Sequence, residues 1–361
     1  SYILVPSFNN TLFRFDQRFQ TNRKNMNRFP FLLLAISLLF VLQSCKDEAK
    51  TSTVSTPTPV IEKIRIPRFD RDSAYTYVAK QVAFGPRVPN TAAHTTTKNW
   101  LSAQLKRHGA TVIEQDFQAK AYTGTVLNGT NIIGQFNPNA SKRILLAAHW
   151  DSRHITDADP DPTKQNLPVD AADDGASGVG ILLEIARQLN TLPDYMGVDI
   201  IFFDAEDHGI SGGSSPQDAY TWCLGSQHWS RNLHVAGYKA KYGILLDMVG
   251  AKNPRFRKEG YSMAYAPDVV NKVWKLAKEM SYGNYFTDEK GGGITDDHRM
   301  VNEIARIPMI DIINMPNDGD PVFVDHWHTT NDNMSNINKR TLGAVGQIVL
   351  AVIYNEAMGK F

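Results

Sequence analysis

The chain has 361 residues, 42% of them hydrophobic and 21% charged, an ordinary globular composition with enough apolar material for one large core or two modest ones. Its 38 basic residues balance 37 acidic ones, a net charge of +1, so no basic excess directs it to nucleic acid or to acidic lipid. Only two cysteines, Cys45 and Cys223, are present, which excludes a disulfide framework.

In chain order, residues 1–25 show no clear period and are expected to be a non-native segment upstream of the true start. Residues 26–44 read as a bacterial lipoprotein signal peptide. Arg28 gives the positive start, residues 31–42 are an apolar stretch too short to span a bilayer, and Leu42-Gln43-Ser44-Cys45 resembles a lipobox. Cys45 is then the lipidated first residue of the mature chain. Gln43 stands where a small residue is usual, so a plain signal peptide or an anchor helix is the alternative. Residues 45–66 carry that cysteine and a tether rich in Ser, Thr and Pro, which cannot bury a core. The expected location is the bacterial cell envelope, on its periplasmic or surface face, with membrane contact only through the lipid.

The folded domain is expected over residues 67–361, with no internal repeat. Helical spacing runs over 73–83 and 91–108, and Gly109 is placed to follow the second helix at C′. Four short apolar runs, 144–148, 198–203, 243–246 and 308–313, lack alternation, as strands covered on both faces do. Amphipathic helices lie between them at 178–190, 269–280 and 341–357; the first puts Ile181, Leu182, Ile185 and Leu189 on one face. Strands alternating with helices predict one α/β domain with a largely parallel sheet.

Six acidic or histidine clusters punctuate this domain: His149-Trp150-Asp151, Asp173-Asp174, Glu206-Asp207, Asp247, Asp296-Asp297-His298 and His326-Trp327-His328. Three of them follow a predicted strand, and parallel strands deliver their C-terminal ends to one ligand-binding edge. Oxygen and nitrogen donors without cysteine suit catalytic zinc with an open position; magnesium seldom takes histidine. In Glu206-Asp207 the two side chains diverge, so one can ligate metal while the other faces substrate as acid or base. Each piece alone has a plainer explanation. Asp174 could cap the following helix, His298 could be a core histidine, and Glu206-Asp207 could be solvated loop charge. Together those explanations leave the repeated strand-end placement unaccounted for.

The motifs His149-Trp150-Asp151-Ser152, Asp174-Gly175-Ala176-Ser177-Gly178, Phe203-Asp204-Ala205-Glu206-Asp207, Leu246-Asp247 and His328-Thr329 resemble the zinc aminopeptidase superfamily. Ser215-Pro216-Gln217-Asp218, Gly225-Ser226-Gln227-His228, the run from Leu245 to Pro254, Ile294-Thr295-Asp296-Asp297-His298 and the run from Trp327 to Asn333 point to one branch of it. That branch is the animal-type glutaminyl cyclases and their bacterial relatives. The resemblance implies a three-layer α/β/α domain around a mixed, mostly parallel sheet. It implies one zinc ion on Asp174, Asp207 and His328, with Glu206 as the proton-transfer group and Asp247 and Asp296 in a hydrogen-bond network with it. The implied reaction closes an N-terminal glutamine of a peptide or protein to pyroglutamate and releases ammonia. Trp327 and Phe323 match apolar pocket residues, and Phe323 is equally readable as core.

Departures from the animal pattern are local. Asp207 stands where those enzymes carry glutamate, Ser214 where they carry tryptophan, and Thr295 where they carry a substrate-contacting glutamine. Trp222, in a nearby insertion, is the expected replacement for the missing tryptophan. The main rival is a zinc aminopeptidase, because His149 and Asp247 match ligands of a second zinc in dinuclear enzymes. His149 and Asp151 therefore serve either a second metal or the groups behind the first. A surface binding lipoprotein with a degraded site is a third reading. A monomer is the default expectation.

Overall fold

The computed structural model describes residues 64–319 and 321–361. The lipoprotein signal, Cys45 and the segment before them lie outside the described residues. In chain order come α1 (Arg71–Ala83), α2 (Ala92–Arg107), β1 (Thr111–Lys120), β2 (Val126–Phe136), β3 (Lys142–His149), α3 (Ala176–Gln188) and β4 (Met196–Phe203). They are followed by α4 (Leu224–Arg231), β5 (Gly243–Asp247), β6 (Phe256–Lys258), α5 (Gly260–Tyr265) and α6 (Pro267–Glu279). The chain ends with β7 (Phe286–Lys290), α7 (Asp297–Met300), β8 (Met309–Ile313) and α8 (Lys339–Ala357).

Six strands form one sheet in the order β1-β2-β4-β3-β5-β8, and β6 pairs with β7 separately. The pairs β4–β3, β3–β5 and β5–β8 are parallel, whereas β1–β2 and β2–β4 are antiparallel. The sheet is therefore mixed, and the four parallel strands are the four apolar runs of the sequence. Their residues alternate between two cores. Ile144, Leu146, Ala148, Val198, Ile200 and Phe202 face the larger core with Ile185 and Ile348, while Leu145, Ala147, Ile201 and Phe203 face a smaller one around Trp229. Both faces are buried, which is why the strands are uniformly apolar and why the domain has three layers. Among the described residues, no helix is long and apolar enough to cross a membrane.

Local rules set the helix ends. Asp70 caps α1 by accepting from the amides of Asp72 and Ser73, and Thr91 caps α2 by accepting from that of His94. Gly109 follows the C-cap of α2 at φ +91, the left-handed turn expected of it. The N-cap of α3 is Gly175, with no side-chain cap. Asp174 is thus not spent on capping.

The candidate metal and catalytic site

Parallel pairing puts the ends of β3, β4, β5 and β8 on one edge of the sheet, and the acidic clusters gather there. Asp174, Glu206, Asp207, Trp222, Asp247, Asp296, Phe323, Trp327 and His328 all line a single cavity of about 400 Å³. Of the residues singled out in the sequence, His149 and Asp151 sit behind it. Asp151 is fully buried and accepts from the backbone N–H of Glu206 at 3.1 Å and of Asp207 at 3.2 Å. That pair of bonds fixes the turn that presents the two acidic side chains.

Asp174, Asp207 and His328 bring one donor atom each within 4.8 Å of the others, and all three residues are buried. His328 Nε2 lies 3.0 Å from Asp207 Oδ1 and 3.7 Å from Asp174 Oδ2. A tetrahedron with zinc-to-ligand bonds of about 2.1 Å has edges of roughly 3.4 Å, so this donor set fits zinc. The shorter Asp207 side chain reaches the other donors at that position. Asp207 Oδ1 is buried and makes no well-aligned hydrogen bond among the described residues, its polar neighbours being His328 Nε2 at 3.0 Å and Arg153 Nη1 at 3.5 Å, an arrangement a metal ion would complete.

His328 is also fixed from behind. Its Nδ1 lies 3.3 Å from Asp157 Oδ1, and Asp157 is gripped by Arg153 through two bonds of 2.7 Å. Carboxylates in this position set the tautomer of a ligating imidazole. The ring stacks on Trp327 at 3.6 Å and faces Trp222 at 6.0 Å. Arg153 also donates to Asp207 O and Gly209 O and lies 4.7 Å from the Trp222 ring. Asp332 accepts from the amides of Asp173 and Asp174 at 2.8 and 3.1 Å. Arg153, Asp157 and Asp332 were not singled out in the sequence. They lie in irregular segments, where periodicity marks none of them; Asp332 falls within the Trp327 to Asn333 motif but was given no role there.

A second group shares Asp174. His149, Asp174 and Asp247 are buried with donor atoms within 4.8 Å. His149 Nε2 lies 2.8 Å from Asp174 Oδ1 and 3.3 Å from Asp247 Oδ1, and its Nδ1 is 3.4 Å from Asp151. Burial pushes the His149 imidazolium down, but these three carboxylates more than offset it and hold it well above the usual range.

Glu206 faces the cavity with Asp296 beside it and the Cys223 thiol donating to its Oε1 at 3.2 Å. Burial, then the charges of Asp207, Asp296 and Asp297, push the Glu206 carboxyl well above its ordinary range against the pull of His149. Asp247 is pushed up by burial and by Asp174, and Asp311, on β8, by burial, Asp296 and Asp247. Carboxyls so crowded share protons rather than ionise together. A carboxyl held in this way can both take and return a proton. Asp173 and His326, by contrast, pair with each other at 3.0 Å, and Asp173 also anchors the Gly250 amide.

Known proteins resemble this chain. A glutaminyl-peptide cyclotransferase of Drosophila melanogaster is 26% identical over 289 residues, 73% of this chain and 75% of the fly protein. A solved glutaminyl cyclase of Bacteroides thetaiotaomicron, bound to N-acetylhistamine, is 53% identical with a TM-score of 0.78, covering 81% of this chain and 99% of that one. A solved zinc-dependent exopeptidase of Parabacteroides distasonis is 54% identical with a TM-score of 0.78, covering 81% of this chain and all of the other. Residues 131–353, from within β2 to within α8, match the model of Peptidase family M28, and the chain belongs to that family.

Proposed function

We propose that this protein is a zinc-dependent glutaminyl-peptide cyclotransferase acting on peptides and proteins with an N-terminal glutamine. The observation that carries the reading is the placement of Glu206 between the Asp174–Asp207–His328 triad and Asp296, inside a small cavity walled by Trp222, Phe323 and Trp327. Similarity to the fly and Bacteroides cyclases supports it. The site has room for one compact side chain, and the three aromatics would enclose its methylenes and exclude water.

Zinc, held by Asp174, Asp207 and His328, would supply Lewis acidity toward the side-chain amide carbonyl. Glu206 takes a proton from the substrate's α-amine as that nitrogen bonds to the side-chain amide carbon. It then returns a proton to the amide nitrogen as the carbon–nitrogen bond breaks and ammonia leaves. The nucleophile belongs to the substrate, so enforced proximity carries much of the rate. Asp296 helps to raise the proton affinity of Glu206, and Asp151 holds its backbone; Asp247, across the same cavity, is assigned to this network by the resemblance.

One zinc ion is the reading carried by the resemblance to the glutaminyl cyclases, although His149, Asp174 and Asp247 form a second set that could hold a metal. The rival is an aminopeptidase with a second zinc on His149 and Asp247. Incubation with a glutaminyl peptide and with a leucine anilide, each with and without chelator, separates the two. Ammonia release from the otherwise intact peptide is the expected result. Free glutamine or anilide release, with two zincs per chain, would establish the aminopeptidase instead.

The lipid-anchored envelope location is proposed on residues 26–45 alone. Metabolic labelling with a radioactive fatty acid should mark the protein and fail to mark Cys45→Ala; equal labelling would remove the lipidation site.

A further inference from the structure

At the far end of α3 from the catalytic edge lies a larger cavity, of about 790 Å³. The helix starts two residues after Asp174 and runs for 13 residues, roughly 20 Å. Four guanidinium groups line this cavity: Arg68 from the entry segment, Arg71 from the first turn of α1, Arg340 from the first turn of α8, and Arg187 from the last turn of α3. Asn284 and Tyr282 add neutral hydrogen-bonding groups.

This arrangement opposes the local rules of helix electrostatics. The N-termini of α1 and α8 are held together by Lys339 and Asp72, 2.7 Å apart. Helix N-termini favour acidic side chains, yet α8 opens with Lys339 and Arg340 and has no acidic residue in its first turn. Asp72 is occupied by Lys339, and Asp70 by the capping amides of α1. Arg187 is neutralised by the buried Glu184 at 2.7 Å. Among the described residues, Arg68, Arg71 and Arg340 form no salt bridge with any acidic group. Three guanidinium groups without an ion-pair partner among the described residues thus line one concave surface, alongside Asp70 and Asp72, and outnumber those carboxylates. Breaches of local rules of this kind mark functional positions.

We propose that this cavity binds a phosphate-bearing anion. Guanidinium groups match phosphate oxygens through paired hydrogen bonds. The phosphate could be soluble or could belong to an anionic lipid headgroup, and the test distinguishes them.

The full chain, loaded with zinc, is compared with the triple variant Arg68→Gln, Arg71→Gln, Arg340→Gln. Inorganic phosphate is titrated at low ionic strength by calorimetry, and flotation is followed with vesicles of equal parts phosphatidylglycerol and phosphatidylcholine. Saturable phosphate binding that weakens ~10-fold or more in the variant supports a soluble ligand. Vesicle binding that the variant loses, without saturable binding of free phosphate, supports the lipid headgroup. The three side chains are exposed, so the variant should keep its melting temperature and its turnover. Absence of both kinds of binding, or equal binding by the variant, overturns the proposal.

Discussion

Near the start of β3 and β4, Arg143 donates to both carboxylate oxygens of Asp199 at 2.6 Å, and Tyr238 donates to one of them at 2.6 Å. Gly197 leaves room for the arginine; a side chain there would begin 2.8 Å from its guanidinium. Around the catalytic cavity, after β4, at the start of α7 and on β8, pairing is incomplete. Asp207 Oδ1, Asp296 Oδ2 and both carboxylate oxygens of Asp297 and Asp311 are buried with no hydrogen-bond partner among the described residues. A buried charge that is fully paired holds a fold together, whereas one left open is costly and persists where a proton or a metal completes it. The two regions differ in that respect, and variants can separate their roles.

The largest effect is expected in the open region. Glu206→Gln keeps the shape of the side chain but cannot exchange a proton. Turnover should fall by roughly 10³-fold, about 4 kcal/mol of barrier, while zinc content and melting temperature stay at wild-type values. A variant with near-normal turnover would show that the proton moves through another group. In the closed region, Asp199→Ala should do the reverse. It leaves Arg143 buried without its carboxylate, which costs on the order of 3 kcal/mol in urea unfolding. Zinc content at native conditions should be unaffected, and zinc loss in the folded variant would mean the two regions are coupled.

Glu259 sharpens the contrast, because it is a satisfied carboxylate within the acidic region. It accepts from the amides of Tyr261, Ser262 and Ile294 and lies 2.9 Å from His298. Burial opposes its charge, but His298 and Ser262 outweigh burial and lower its carboxyl to about 2. A carboxyl lowered from about 4.5 contributes its full stability above pH 4.5 and loses it as pH falls toward 2. The stability difference between wild type and Glu259→Gln should therefore be near 3 kcal/mol at pH 7 and shrink to roughly half by pH 3. A difference that stays constant from pH 7 to pH 3 would show that the hydrogen bonds, not the charge, stabilise this position.

Much of the fold was legible because both faces of the parallel strands are covered, so β3, β4, β5 and β8 read as plain apolar runs. The hairpin β1–β2 was not. The sequence of β1 is mostly polar with Phe117 as its one buried residue. Gly129 and Asn131 in β2 are residue types depleted in strands, yet each has a packing reason. Phe117 pairs opposite Gly129 and lays its ring where a Cβ would sit, 2.4 Å away, and Asn131 bonds Gln115, Gly225 and the amide of Asp204. At the site, residues at strand ends were legible by placement. Arg153, Asp157 and Cys223 act through three-dimensional contacts between loops, and no one-dimensional pattern encodes those.

The smallest effect expected concerns Trp222, whose place in the cavity depends on Gly209. A Cβ at Gly209 would lie 2.0 Å from the indole ring, so the glycine lets the ring lie flat beside Arg153 and His328. If the ring encloses the two methylenes of a glutamine side chain, removing it should cost about 0.8 kcal/mol for each. Trp222→Ala should then raise KM ~15-fold, with a smaller change in kcat. Gly209→Ala retains the indole but displaces it, so its KM should rise by a similar factor. The double variant should be no worse than either single one, because both changes remove the same contact. Additive losses in the double variant would mean that Gly209 acts on something other than the ring, most directly on the Arg153 bond to its carbonyl.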